Sequence, residues 1–189
     1  MRHFAIATLA VLGLAACSST PVAPASAPAD SHQAAAQAKT ARNAVVHLTG
    51  ASGSLVSGTL TLAPMHGGVR VTGAIGGLTP GSHGFHVHQT GDCSAADASS
   101  AGGHFNPTLQ PHGRAEAMPH HAGDIDNIVA GWDGVAHVDV QLAGVSLGDG
   151  GRDDIAGRAL VVHAAPDDYR TQPSGNSGAR IACGVVMLQ

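Results

Sequence analysis

Two short segments hold the residues best placed to do chemistry: Gly84-Phe85-His86-Val87-His88 and Gly102-Gly103-His104-Phe105-Asn106-Pro107. Side chains alternate across a β-strand, so His86 and His88 face the same way, with His104 close behind in the chain. Three imidazoles in one stretch, and His112, His121 and His163 further along, make a ligand set suited to borderline metals such as copper and zinc. Any one of the 13 histidines, taken singly, is an ordinary surface or core residue. The set gains weight because its members, with Asp124, all fall where the chain reads as a strand end or a glycine-rich loop.

The elements that must position these side chains are β-strands. Short apolar and β-branched runs separated by Gly, Pro, Asn and Asp predict strands over Ala44–Thr49, Ser54–Leu62, Val69–Ile75, His83–His88, Ile125–Ala130, Val135–Leu142, Arg158–His163 and Ile181–Leu188, a count that suggests a sandwich or barrel. Alternation is clearest where Val69, Val71 and Gly73 oppose Arg70, Thr72 and Ala74, and where Val138, Val140 and Leu142 oppose His137, Asp139 and Gln141. No segment carries a sustained helical period. Two long stretches, Gln89–Asp124 and Ala164–Arg180, break the strand rhythm. Loops of that length in a compact domain are usually functional or disordered, and the candidate ligands in and beside them mark them as site-forming.

The ends set how much of the 189 residues folds. Met1–Ala16 has a basic start at Arg2 and an apolar run from Phe4, a secretory signal pattern too short to span a bilayer. Leu14-Ala15-Ala16-Cys17 resembles the lipobox of bacterial lipoproteins, which implies cleavage before Cys17 and acylation of that cysteine, leaving a soluble domain held to a membrane only through lipid. Residues 17–43 are then a lipidated cysteine and a disordered tether, rich in Ala, Pro, Ser and Gln and poor in large apolar side chains. Loss of Arg2 with the signal changes the formal charge from −4 to −5. Nothing in the charge pattern suggests nucleic acid. Cys93 and Cys183 remain as an even pair in a chain with a secretion signal, so a disulfide is expected.

Six separated motifs occur in order: Gly84-Phe85-His86-Val87-His88, Gly103-His104-Phe105-Asn106-Pro107, His112-Gly113, His121-Ala122-Gly123-Asp124, Gly157–His163 and Gly175–Val185. With these motifs, residues 44–189 resemble the copper/zinc superoxide dismutases, in character nearest to the secreted bacterial ones. The resemblance implies an all-β fold, an eight-stranded antiparallel Greek-key barrel or sandwich with two long functional loops; that family is a standard example of the sandwich architecture. It implies dismutation of superoxide to dioxygen and hydrogen peroxide by a redox-cycling copper beside a structural zinc, in the bacterial periplasm, where it would protect the cell envelope. Copper would be bound by His86, His88, His104 and His163, and zinc by His104, His112, His121 and Asp124, with His104 serving both. The spacing to Gly123-Asp124 favours His121 over its neighbour His120. Asp167 would accept hydrogen bonds from His86 and His112, fixing ring orientation and tautomer. Arg180 would guide the anion, held in place by a Cys93–Cys183 link.

The chain departs from the pattern in its charges. The Ala164–Arg180 loop carries only Asp167, Asp168, Arg170 and Arg180, and the single lysine, Lys39, lies in the tether, which puts electrostatic steering by that loop in doubt. A secreted copper and zinc carrier on the same fold would explain every ligand equally well, but it needs neither Arg180 nor an open copper face. A zinc hydrolase is a weaker reading, because no carboxylate is obviously placed as a general base. Homodimer and monomer stay equally open, and Trp132, in the turn Gly131-Trp132-Asp133-Gly134, fits a partner contact or a surface position alike.

Overall fold

Residues of small apolar and polar type that alternate along the chain can bury one row while wetting the other, and this pattern organises the fold. The structure is a computed structural model that describes residues 42–189. The expected signal (1–16) and all but the last two residues of the expected tether (17–43), Cys17 included, lie outside the described residues. Ten strands follow: β1 Ala44–Gly50, β2 Ser57–Met65, β3 Gly68–Gly76, β4 Gly81–His83, β5 Phe85–His88, β6 Ile128–Ala130, β7 Ala136–Ala143, β8 Ala159–His163, β9 Arg180–Val185 and β10 Met187–Leu188. Among the described residues the one helical element is a 3-10 turn at Ser99–Ala101.

The main sheet is antiparallel and runs β5-β8-β9-β1-β2-β3-β7, with β10 also on β1, while β4 and β6 form a separate ladder. Strands neighbouring in space but not in sequence, β3 with β7 and β9 with β1, are the long returns of a Greek key. β1 changes partner along its length: Ala44 and Val45 pair with β10, whereas Thr49 and Gly50 pair with Cys183 and Ala182 of β9. That switch curls the sheet around a core of Val46, Leu48, Leu60, Leu62, Val71, Ile75, Phe85, Val87, Leu160 and Val162, all buried. Each such side chain contributes about 1.5–3 kcal/mol on burial.

All eight expected strands are present, two of them divided. The run His83–His88 splits at Gly84, where the chain leaves one ladder for another: His83 pairs with Ile128 on β6, and Phe85 with Val162 on β8. Gly84 gives its N–H to Ala165 and its carbonyl to the His163 N–H instead. The run Ile181–Leu188 divides at Val186, whose N–H and carbonyl turn to Arg158 and Gly157. The second strand starts later than the sequence suggests, because residues 51–54 form a turn and the Ser54 hydroxyl accepts from the N–H of Val56 (3.0 Å). Gly73, expected on the inward row with Val69 and Val71, is exposed. It has no side chain to bury, and the Thr59 carbonyl oxygen, with the Leu60 side chain behind it, stands where its Cβ would be.

Candidate metal centre

β5 lies at one end of the sheet, with its free edge open to the first long loop. Backbone bonds stitch that loop on: Phe105 N–H to the Val87 carbonyl (2.8 Å), Val87 N–H to Gly123 (2.9 Å) and Gly123 N–H to Phe105 (2.8 Å). The stitching sets His104 opposite His88 and Asp124 opposite His86. On the other side of β5, β8 ends at His163, where the ladder to β9 slips by a residue and pairs His163 with Arg180. Irregularities of this kind re-aim a side chain, and here the result brings His163 to the rings of His86 and His88.

Two groups of donor atoms result, one of His86, His88, His104 and His163, the other of His104, His112, His121 and Asp124, each with its atoms within 4.8 Å of one another. In the first group one nitrogen of each ring is engaged elsewhere. Nε2 of His86 donates to Asp167 Oδ2 (2.8 Å), Nδ1 of His88 to the Gly102 carbonyl (2.9 Å), and Nδ1 of His104 lies 2.7 Å from Asp124 Oδ1. Nδ1 of His163 makes a long contact with the Gly178 carbonyl (3.4 Å). The opposite nitrogens, Nδ1 of His86 and Nε2 of His88, His104 and His163, are buried and have no hydrogen-bond partner among the described residues. Buried polar atoms are seldom left so, and four imidazole nitrogens within 4.8 Å of one another are a donor set that a borderline metal would satisfy.

The second group is arranged around a carboxylate. Asp124 Oδ1 stands 2.7 Å from Nδ1 of His104, 3.1 Å from Nδ1 of His112 and 3.2 Å from Nδ1 of His121. The His112 contact is close enough for an ion pair but lacks hydrogen-bond direction, so that nitrogen also counts as unpartnered. Oδ2 accepts from the N–H groups of Gly113 (3.1 Å) and His121 (2.9 Å). Three nitrogens and a carboxylate oxygen match a closed, tetrahedral zinc site. Asp167 joins the groups, taking His86 on Oδ2 and the Nε2–H of His112 on Oδ1 (2.9 Å). Room for that carboxylate depends on Gly175, at φ 71, since a Cβ there would overlap Asp167 Oδ1.

Electrostatics separates the groups. Burial, reinforced by neighbouring imidazoles, lowers His88 to about 2 and His163 to about 3. Burial also lowers His104, to about 4, against the pull of Asp124. His112 goes the other way: burial opposes its charge, but Asp124 and Asp167 outweigh it and raise it to about 9. For both aspartates burial favours the neutral acid, and the surrounding histidine hydrogen bonds reverse this and hold the carboxyls well below their usual range.

A cavity of about 420 Å³ reaches both groups and is lined by His88, His104, His121, His163, Asn106 and Arg180 among others. Arg180 is fixed there by donating to the carbonyls of Ala98 and Gly102 (2.6 Å each). Beneath those carbonyls Ala51, Ala98, Ala101, Ala159 and Val161 pack with Cys183, which is bonded to Cys93.

A family model described as "Copper/zinc superoxide dismutase (SODC)" matches residues 56–186. This chain belongs to the copper/zinc superoxide dismutases. Among curated relatives of this dismutase, an extracellular superoxide dismutase [Cu-Zn] of Brugia pahangi is 43% identical over 142 residues, covering 70% of each chain. Superoxide dismutase [Cu-Zn] 2 of Mesembryanthemum crystallinum is 47% identical over 129 residues, 65% of this chain and 81% of the relative. Among solved structures, the clock protein EA4 superposes with a TM-score of 0.71 at 37% identity, covering 79% of this chain and 96% of that one. A SOD-like protein from Bacillus subtilis gives 0.69 at 39% identity, covering 76% and 97%. The dismutase's two donor groups fit the family's copper and zinc, and its activity is the dismutation of superoxide.

Every candidate ligand of the dismutase reaches one of the two groups, and of the adjacent pair it is His121 that does so; His120 turns Nδ1 to the His121 carbonyl (2.6 Å). Trp132 is 95% exposed in its turn. Two contributors escaped sequence reasoning. His83 is buried, its Nδ1 2.8 Å from the His163 carbonyl and its Nε2 2.8 Å from that of Thr79. Asn127 holds the backbone of Asp167 from both sides. Neither has a spacing signal, because each acts on a residue far along the chain.

Proposed function

We propose that this dismutase holds copper with His86, His88, His104 and His163 and zinc with His104, His112, His121 and Asp124, and that Arg180 receives the superoxide anion. The observation that carries this reading is the set of four buried imidazole nitrogens, within 4.8 Å of one another and without a hydrogen-bond partner among the described residues, beside an opening lined by Arg180. Copper when bound supplies the one-electron couple that dismutation needs. The protein's own groups do the rest. Arg180 stays charged at any working pH and spends two donors on Ala98 and Gly102, leaving others for a small anion in the opening. Nε2 of His104 is the atom suited to hold a proton for the departing peroxide, while its Nδ1 remains directed at the zinc group. Asp167 keeps His86 in the tautomer that leaves Nδ1 free for metal.

Residues 1–16 as a signal, 17–43 as an acylated Cys17 with a tether, and 44–189 as the dismutase domain would put the enzyme in the bacterial periplasm, defending the envelope. The extracellular relative supports a secreted protein. The test is superoxide decay by the copper- and zinc-loaded protein against His163→Ala at equal metal content. Rapid decay that collapses in the variant is the expected result. Decay no faster than free copper, with both metals tightly bound, would instead favour a metal carrier.

A further inference from the structure

Asp167 touches a ring from each donor group, so whatever aims Asp167 acts on both. Its backbone is clasped by Asn127, whose Nδ2 donates to the Asp167 carbonyl (2.9 Å) and whose Oδ1 accepts from the Asp167 N–H (2.8 Å). Asn127 gives its own N–H to the hydroxyl oxygen of Tyr169 (2.9 Å), and the Tyr169 N–H returns to Asp167 Oδ1 (2.7 Å). Three residues thus close a ring of hydrogen bonds. A second ring surrounds it: the Arg114 guanidinium lies 5.4 Å from the Tyr169 ring centroid and donates through Nε and Nη2 to Oδ2 of Asp126, the residue before Asn127 (3.0 and 2.9 Å).

Tyr169 is the chain's single tyrosine and stands at φ 60, a left-handed backbone that bulky residues rarely adopt. Glycine or asparagine would take that conformation more easily. A tyrosine kept there points to a use for its side chain.

We infer that Tyr169 is a positioning residue for the metal centre: its hydroxyl and ring join Asn127 and Arg114 in a latch that keeps Asp167 aimed at the Nε2–H groups of His86 and His112. The inference rests on the reading that His112 belongs to the zinc site. Outer partners of metal-bound histidines are typically worth ten- to a hundredfold in metal affinity, and Tyr169, one step further out, belongs at the lower end.

The test is the zinc dissociation constant, by competition with a chromophoric chelator, together with the solvent-exchange rates of the His86 and His112 Nε2 protons in the metal-free protein by NMR. Tyr169→Phe keeps the ring under Arg114 and removes the acceptor oxygen. It is expected to weaken zinc about tenfold and to speed exchange of both ring protons. Arg114→Gln, which strips the cation from the ring and leaves the hydroxyl, is expected to shift both in the same direction by less. A change in either readout for Tyr169→Phe supports the latch. Unchanged zinc affinity and unchanged ring-proton exchange in both variants, whatever the melting temperature does, would overturn it. Failure of the unmodified protein to bind zinc would overturn the metal assignment itself.

Discussion

The two donor groups share His104 and are built from the same side chain, yet their surroundings poise them oppositely. In the four-histidine group His86 and His104 meet Asp167 and Asp124, but His88 and His163 are buried among carbonyls, other imidazoles and Arg180 and are held neutral far into acid. Around the second group two carboxylates press in and raise His112 to about 9. In one group His88, His104 and His163 are already deprotonated at neutral pH. In the other, His112 must release a proton as metal enters. Ring chemistry alone therefore does not decide what an imidazole cluster binds; the acceptors behind the rings do.

The harshest way to break this contrast is to loosen the four-histidine side alone. Removing the Cys93–Cys183 bond, whose cysteines are 90 positions apart, is expected to destabilise the protein by about 4.6 kcal/mol on the chain-entropy model, read from urea unfolding of oxidised against reduced protein. Because Arg180 and the Gly102 carbonyl lose their anchor, superoxide decay slows while zinc affinity holds. Equal losses at both groups would show that the two sides are not mechanically separate. Asp124→Ala attacks the carboxylate side. The three rings lose their shared acceptor, and zinc affinity drops by more than about a hundredfold, the upper end for an outer partner, in a chelator titration. Gly175→Ala pushes the Asp167 carboxylate aside, so both groups suffer, with metal affinities lower by about tenfold or more.

The smallest effect, and the sharpest discriminator, is pH. His88 and His163 have folded pKa values depressed below the ordinary 6.5 of an imidazole, so the metal-free protein keeps their contribution above pH 6.5 and loses it as the pH falls toward 3. The depressed carboxyls of Asp124 and Asp167 add to that loss below pH 3.8. His112 is raised, so its contribution is complete below 6.5 and disappears as the pH rises through about 9. Urea midpoints of the metal-free protein should therefore fall on both sides of neutrality, and His112→Gln should remove the alkaline limb only. Zinc affinity should climb with pH up to about 9, while His88, His104 and His163 offer copper no proton competition above about pH 4. Parallel pH profiles for the two metals would refute the contrast.

What the sequence made legible follows a physical rule. The strands showed because Val69, Val71, Val138 and Leu142 must alternate to be buried, and the first donor group showed because His86 and His88 share a strand face. The division at Gly84 did not, since it depends on which ladder is adjacent rather than on a local preference. Ile125–Ala130 read as one strand, yet β6 holds only Ile128–Ala130, because Asn127 spends its N–H on a tyrosine 42 residues away. Side-chain to backbone bonds over such separations leave no period to read. For the same reason Tyr169 and His83 carried no signal, although each is as firmly placed as the ligands.

The Gly102 carbonyl accepts from the His88 ring and from Arg180 at once. One oxygen is thus a shared hinge between Arg180, the proposed anion-binding group, and His88, a proposed copper ligand. Replacing Arg180 would free a lone pair on that oxygen and let the imidazole settle closer, so the loss of anion capture would arrive mixed with a change of ligand field. Substitutions at these two positions should not sum. A lineage that drifts at one of them must answer at the other, and the pair should be inherited as a single unit.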